Sequence, residues 1–160
     1  MKRSVYIETT IPSYYYETRK AVRFVAWREI TREWWSKFRQ YYEPVCSEVV
    51  LYELERGSHP SQKRKIALVQ NIDRLAYASV IDEIVEDYIK HNLVPREYGG
   101  DAYHLAYASY YGVDFLMTWN CNHLANPNKF HHMDVINGRL GLNTPIICTP
   151  EQLLTKGEDI

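Results

Sequence analysis

Short apolar segments rich in β-formers alternate along this chain with longer stretches whose apolar residues recur every three or four positions, and this alternation is what most restricts the fold. Ser4 to Ile7 is the first such segment, with Val5 and Ile7 on one side; it ends at Glu8-Thr9-Thr10 and is stopped by Pro12. Tyr14 to Tyr16 read as a loop or first turn. From about Thr18 to Tyr42 the spacing of Val22, Val25, Ala26, Ile30, Trp34 and Phe38 predicts a helix. Glu43-Pro44 breaks it, and Val45-Cys46 reads as a second strand. Ser47 reads as an N-cap and Glu48 as a first-turn acid facing the positive helix end. The helix continues through Val49, Val50, Leu51 and Leu54 until Gly57 and Pro60 terminate it. Residues 61 to 72 form another helix, Ala76 to Ile81 a short apolar strand or extended link, and Asp82 caps a helix to about His91.

Pro95 to Gly100 is turn-rich, and Asp101 opens a small-residue helix with Ala102, Leu105, Ala106 and Ser109 on one inward face and Gly112 as its C-cap. Phe115-Leu116-Met117 is a buried strand leading into Thr118-Trp119-Asn120. A weak helical segment ends across Asn137 to Leu142, Ile146 to Cys148 is a last strand, and Thr149-Pro150-Glu151 starts a terminal helix. Strands alternating with helices imply a mostly parallel central sheet covered on both faces, a three-layer α/β/α sandwich. With no repeat, low-complexity tract or linker, residues 1–160 are expected to form a single domain. A chain this long buries roughly 70% of its unfolded surface and folds without metal or disulfide.

A net charge of −1, from 19 basic and 20 acidic residues, does not announce a nucleic-acid binder, since a polyanion must be met by a local basic patch. Cys46, Cys121 and Cys148 are scattered and make no CxxC pair, which fits a reducing compartment better than a disulfide framework or a zinc site. The N-terminal strand is too short for a signal peptide's apolar region, and no apolar run approaches the roughly 18 residues of a membrane span. A soluble cytoplasmic protein with no membrane partner is expected. Neither GxGxxG nor a Walker A sequence occurs, so a nucleotide-cofactor enzyme finds no support.

Ligands of open α/β sheets collect beyond the carboxyl ends of the strands, where the winding reverses. Glu8 lies just past the first strand and Asn120 just past Phe115–Met117. Asp101, at the start of the helix feeding that strand, belongs at the same rim. Glu53 lies about one and a half turns into the helix after the second strand. Three carboxylates so gathered repel one another unless a cation intervenes, and oxygen donors of this kind suit Mg²⁺ or Mn²⁺. A metal-bound water can attack a phosphodiester. Each residue also has a plain structural reading: Asp101 as a helix N-cap, Glu8 as a solvated strand end. Glu53 sits among apolar residues and requires a partner.

The segments VYIETT (5–10), CSEVVLYELERG (46–57), GDAYHLAYASYYGVDFLMTWN (100–120) and NTPIICTPEQLL (143–154) together resemble PIN-domain proteins, most of all VapC-type ribonucleases of prokaryotic toxin–antitoxin pairs. The family's four site positions are matched by Glu8, by Glu53 in Glu53-Leu54-Glu55-Arg56-Gly57, by Asp101 ahead of Ala102, Ala106 and Ala108, and by Asn120 in Thr118-Trp119-Asn120. The resemblance implies that these four residues bind metal and catalyse RNA hydrolysis through an activated water, with Thr9 and Thr118 in support. It further implies a homodimer silenced by a cognate antitoxin. Two residues depart from the family pattern. Glu8 stands where Asp is usual, and Asn120 replaces an acid, leaving three formal charges and an expectation of weaker metal affinity. The alternative is a PIN-like module that binds RNA or protein without cutting.

Other residues keep two readings open. His104 follows Asp101 by three and either supports the acids or is a packed, hydrogen-bonded core histidine. His123, His131 and His132 lie in a stretch of amide and basic character that either contacts RNA or is solvated surface. Tyr14 to Tyr16, with Arg19, Lys20 and Arg23, could stack bases or form a dimer or antitoxin face. Lys63-Arg64-Lys65 reads as a solvated helix face.

Overall fold

Val5, Tyr6 and Ile7 are fully buried, as a strand must be when it is covered on both faces and flanked on both edges. The structure, a computed structural model, describes residues 1–157; the last three positions of the expected 1–160 domain lie outside the described residues. The five strands are β1 (Arg3–Ile7), β2 (Tyr42–Cys46), β3 (Asp73–Arg74), β4 (Phe115–Met117) and β5 (Ile146–Cys148). They pair throughout in parallel, in the order β3-β2-β1-β4-β5. Helices α1 (Thr10–Tyr15), α2 (Val22–Glu33), α3 (Glu48–Glu55), α4 (Gln62–Val69), α5 (Ser79–Lys90), α6 (Gly99–Tyr110) and α7 (Pro127–Arg139) complete an α/β/α sandwich. Among the described residues, no helix is long and apolar enough to cross a membrane.

The chain winds outward from β1 to β3, then returns to lay β4 on the other side of β1. The reversal opens a crevice between the carboxyl ends of β1 and β4. Their register, Val5 with Phe115 and Ile7 with Met117, sets the next residues, Glu8 and Thr118, beside each other at its mouth.

Several boundaries differ from the sequence expectation. Pro12 does not end a strand in a loop; it sits in the first turn of α1, where a missing N–H has no helical partner to lose. The helix expected over Thr18–Tyr42 begins at Val22 and passes through a π turn (Trp34–Phe38) and a 3-10 turn (Arg39–Tyr41). Tyr42, Glu43 and Pro44 are already strand. Pro44 is tolerated because β3 pairs only with Val45 and Cys46, so that β2 is locally an edge there. The strand or link placed at Ala76–Ile81 is upstream, at Asp73–Arg74. Ile81 belongs with Ile84, Val85 and Tyr88 on the buried face of α5.

The polar stretch after Asn120 turns only as far as Asn126, whose side chain accepts from the Asn128 N–H and caps α7. Its apolar signal was thin because only Met133, Ile136 and Asn137 are buried there. Helix α6 buries His104, Tyr107 and Ala108 besides the expected face. The terminal helix is a single 3-10 turn, Pro150–Leu153, with reciprocal capping between Thr149 and Gln152.

Asn137 ties three helices together: its carbonyl accepts from the Tyr88 hydroxyl (2.5 Å), and its amide donates to Ser109 (3.1 Å) and Thr144 (3.0 Å). Asn137→Ala strands all three partners, and each buried unsatisfied group costs about 1–3 kcal/mol. We expect a loss of about 3 kcal/mol in urea unfolding; a loss under about 1 kcal/mol would show the network to be dispensable.

Candidate functional site

Glu8 leaves the end of β1 and is only 3% exposed, a placement that costs several kcal/mol for a carboxylate unless donors surround it. They do. Oε1 accepts from the Thr10 N–H (3.0 Å), the Thr10 hydroxyl and the Thr118 hydroxyl (2.7 Å). The two threonines carry the link onward, since Thr10 Oγ1 accepts from the Trp119 N–H (2.8 Å) and Thr118 Oγ1 from the Asn120 N–H (2.9 Å). Glu8 thereby clasps the ends of β1 and β4 across the crevice. Its other oxygen, Oε2, lies 3.9 Å from His104 Nε2.

Glu53 reaches the same imidazole from α3. Its Oε1 lies 2.5 Å from His104 Nε2 and accepts from the Thr9 hydroxyl at 2.7 Å. His104, on α6, has no exposed surface, and its Nδ1 is 2.7 Å from the Tyr6 hydroxyl, itself 2.7 Å from Ser47 Oγ. Ser47 occupies the expected cap position of α3, but its hydroxyl makes no cap bond and serves Tyr6 instead. Burial works against charge on both sides of the Glu53–His104 contact. For Glu53 it is outweighed by the hydrogen bond and charge of His104 and by the Thr9 hydroxyl, which hold the carboxyl below its ordinary value. For His104 burial is outweighed by Glu53, Glu8 and Asp101, which raise the imidazole. The two shifts agree on an imidazolium–carboxylate pair.

Asp101 stands in the first turn of α6 and faces the other way in energy. Burial first, and the Glu8 charge second, push its carboxyl up to about 6, against the opposing pull of His104, His123 and a hydrogen bond from Asn120. The Asn120 carbonyl accepts from the His123 N–H (3.0 Å), so its amide NH₂ is what serves Asp101. Gly100 permits the approach of α6 to α3, since a Cβ there would stand 2.6 Å from Glu53 Oε2.

Glu8, Glu53 and Asp101 are thus brought around one buried imidazole, with Thr9 and Thr118 each donating to an acid. Asn120 reaches the group through Asp101, and its carbonyl accepts from the His123 N–H. Oxygen donors of this hardness suit Mg²⁺ or Mn²⁺. Three carboxylates and an amide supply donors of that kind, so the donor chemistry fits such an ion. The arrangement itself is not preformed. Among the described residues no three His, Cys, Asp or Glu side chains are disposed to hold one metal, and Glu53 is turned onto His104. Sequence reasoning missed Tyr6, Ser47 and Thr10. Only Thr10 carried a signal, a second hydroxyl directly after the acid in Glu8-Thr9-Thr10.

The remaining candidates lie apart from the acids or pack internally. Tyr14 is packed between Trp27 (5.1 Å between ring centres) and Trp119 (6.1 Å), and Tyr16 lies under the Arg64 guanidinium (5.1 Å). His131 and His132 are exposed on α7, whereas His123 stacks on Tyr98 at the rim. Lys63 and Arg64 are solvated as expected, but Lys65 is half-buried. In comparison with known proteins, the chain matches no family model, no curated protein and no solved structure.

Two variants probe this electrostatics. Between about pH 4 and 6 the native Asp101 keeps a proton that the unfolded chain has lost, so its contribution to stability falls as pH rises through that window and is flat above it. Asp101→Asn should therefore raise Tm near neutral pH, with the gain fading towards about pH 4; an unchanged or lower Tm near neutral pH would refute the charge argument. Gly100→Ala meets only the flexible end of Glu53. It should fold with the parent's sheet intact while dislodging Glu53 from His104. An unaltered His104 ring resonance in the NMR spectrum would contradict this.

Proposed function

We propose that the crevice between β1 and β4 is the active centre of a metal-dependent endoribonuclease of PIN type, akin to VapC toxins, that hydrolyses RNA phosphodiesters. The observation that carries this reading is the gathering of Glu8, Glu53 and Asp101 at a topological reversal, around a single buried imidazole, with the Asp101 carboxyl raised by its burial and by the Glu8 charge. Bound Mg²⁺ or Mn²⁺ would activate a water and offset the charge that develops on the phosphoryl oxygens.

The protein's own groups have distinct parts. Glu8, fixed by three donors, is the rigid ligand. Asp101, steadied by the Asn120 amide, faces it, and its high carboxyl pKa makes metal and proton compete for the same oxygens. Glu53, whose side chain is 34% exposed, rests on His104 and would have to turn from it to complete the set. His104 carries the compensating charge in the metal-free protein. With three acids and an amide, affinity for the ion is lower than four acids would give. In the same proposal the protein acts in the cytoplasm as a homodimer restrained by a cognate antitoxin.

One observation favours a second reading. The contact of Glu53 with His104 already satisfies the acid without metal, as a non-catalytic RNA- or protein-binding module on this scaffold would require. A cleavage assay on purified protein separates the two, using structured and single-stranded RNAs with chelator, Mg²⁺ or Mn²⁺. The nuclease reading expects metal-dependent products and a loss of about a hundredfold or more in Asp101→Asn. RNA binding without metal-dependent turnover would establish the module instead.

A further inference from the structure

A cleft of about 450 Å³ adjoins Glu53 and Asp101, walled by Tyr52 of α3 and Arg56 just after it on one side and by Glu97, Tyr98 and Tyr103 on the other. Its volume lies within the roughly 300–1,000 Å³ of small-molecule sites. Tyr52 is 58% and Tyr98 47% exposed, large aromatic faces left to solvent beside the acids. Neither ring is loose. Tyr98 stacks on His123 with 4.3 Å between ring centres, and Tyr52 carries the Arg56 guanidinium 5.3 Å from its centre. Tyr103, at the back, is anchored by its hydroxyl to Asp82 (2.5 Å).

We infer that this cleft is a nucleobase subsite, taking one unpaired base of the RNA strand whose adjoining phosphate lies at the acid cluster. The inference rests on the ribonuclease reading for its substrate. Three charges distinguish the occupant. Glu53, Glu97 and Asp101 border the cleft against the single cation Arg56, so a phosphate is repelled from its interior, whereas a neutral base is not. A second cationic side chain brought to Tyr52 meets the charge of Arg56 over one face, whereas a neutral base stacks on the opposite face. What remains suited to ordered aromatic walls is a planar, uncharged π-face, and base–tyrosine stacking is how proteins hold unpaired bases. Arg56 at the mouth pairs with the flanking phosphate, and Glu97 accepts from an exocyclic amino group, which ranks bases carrying such donors above uracil.

The test uses the full chain in chelator, so that binding is read without turnover, by fluorescence anisotropy of a labelled unpaired RNA oligonucleotide. A second probe is the same backbone made abasic. Intact RNA should bind more tightly than the abasic strand, and Tyr52→Ala or Tyr98→Ala should weaken intact RNA by about tenfold while leaving abasic affinity unchanged. Tyr52→Phe should retain most of the affinity. Equal affinity for the two strands, or tyrosine variants that bind intact RNA as the parent does, overturns the subsite. An arginine-rich peptide is the third probe: if Tyr52→Ala weakens the peptide and not the RNA, the cleft docks protein and the inference falls. Metal-dependent cleavage by the parent is scored separately. Tyrosine-dependent base binding without cleavage upholds the subsite and removes the nuclease reading; cleavage with tyrosine-independent binding does the reverse.

Discussion

Charge that has been taken out of water must be answered within the protein, and here the answer is the imidazole of His104. Glu53 touches it, Glu8 faces it, and the Asp101 carboxyl feels its charge. Without an internal cation, three carboxylates at the end of a buried parallel sheet would raise one another's pKa until one took up a proton. Asp101 has gone part of the way, first because it is buried and second because Glu8 is near. The rest of the local architecture serves the same end: Tyr6 and Ser47 orient the ring from behind, Thr9, Thr10 and Thr118 supply hydroxyls to the acids, and Gly100 lets two helices come near enough for Glu53 to reach. The threonines are the less visible part. They place short, pre-oriented donors on oxygens that solvent does not reach, and they lock the ends of β1 and β4 to the acid they serve.

Much of this was legible in the amino-acid sequence, and the parts that were not share a physical reason. β1, β4 and β5 each carry a short run of apolar, mostly buried residues, so composition marks them. The gathering of Glu8, Glu53 and Asp101 at one rim follows from topology, because crossover helices start where parallel strands end. Register and angle were not legible. Asn120 could be placed past β4, but which end of its amide meets Asp101 depends on the His123 N–H in the following turn. His104 could be placed on the face of Asp101, but only packing against β1 brings its other nitrogen to Tyr6. Ile81 looked like part of a strand because a few apolar residues in a row satisfy both periods. Helix α7 was hidden because it buries little apolar surface and is pinned instead through Asn137, a polar residue whose burial no hydropathy pattern announces.

The two sides of Glu53 differ in character. Towards α6 and Tyr98 it borders the aromatic cleft with its acidic rim; towards α4 it borders a smaller recess of about 100 Å³ that includes His59 and Lys65. Lys65 is half-buried, and that partial burial lowers its pKa. A polymer crossing the acids would leave an aromatic environment for a basic one, so the surface has a direction even though the protein's overall charge is almost balanced.

The clasp between Glu8 and Thr118 joins residues 110 positions apart, and the contact between Glu53 and His104 spans 51. Glu8 acquires its full set of hydrogen bonds only when β4 has docked beside β1, so anything that separates those strands parts the acid from its Thr118 support. Assembly of the centre is thus all-or-none with respect to the sheet, and anything that ties down these side chains in the native state draws its binding energy into the stability of the entire domain.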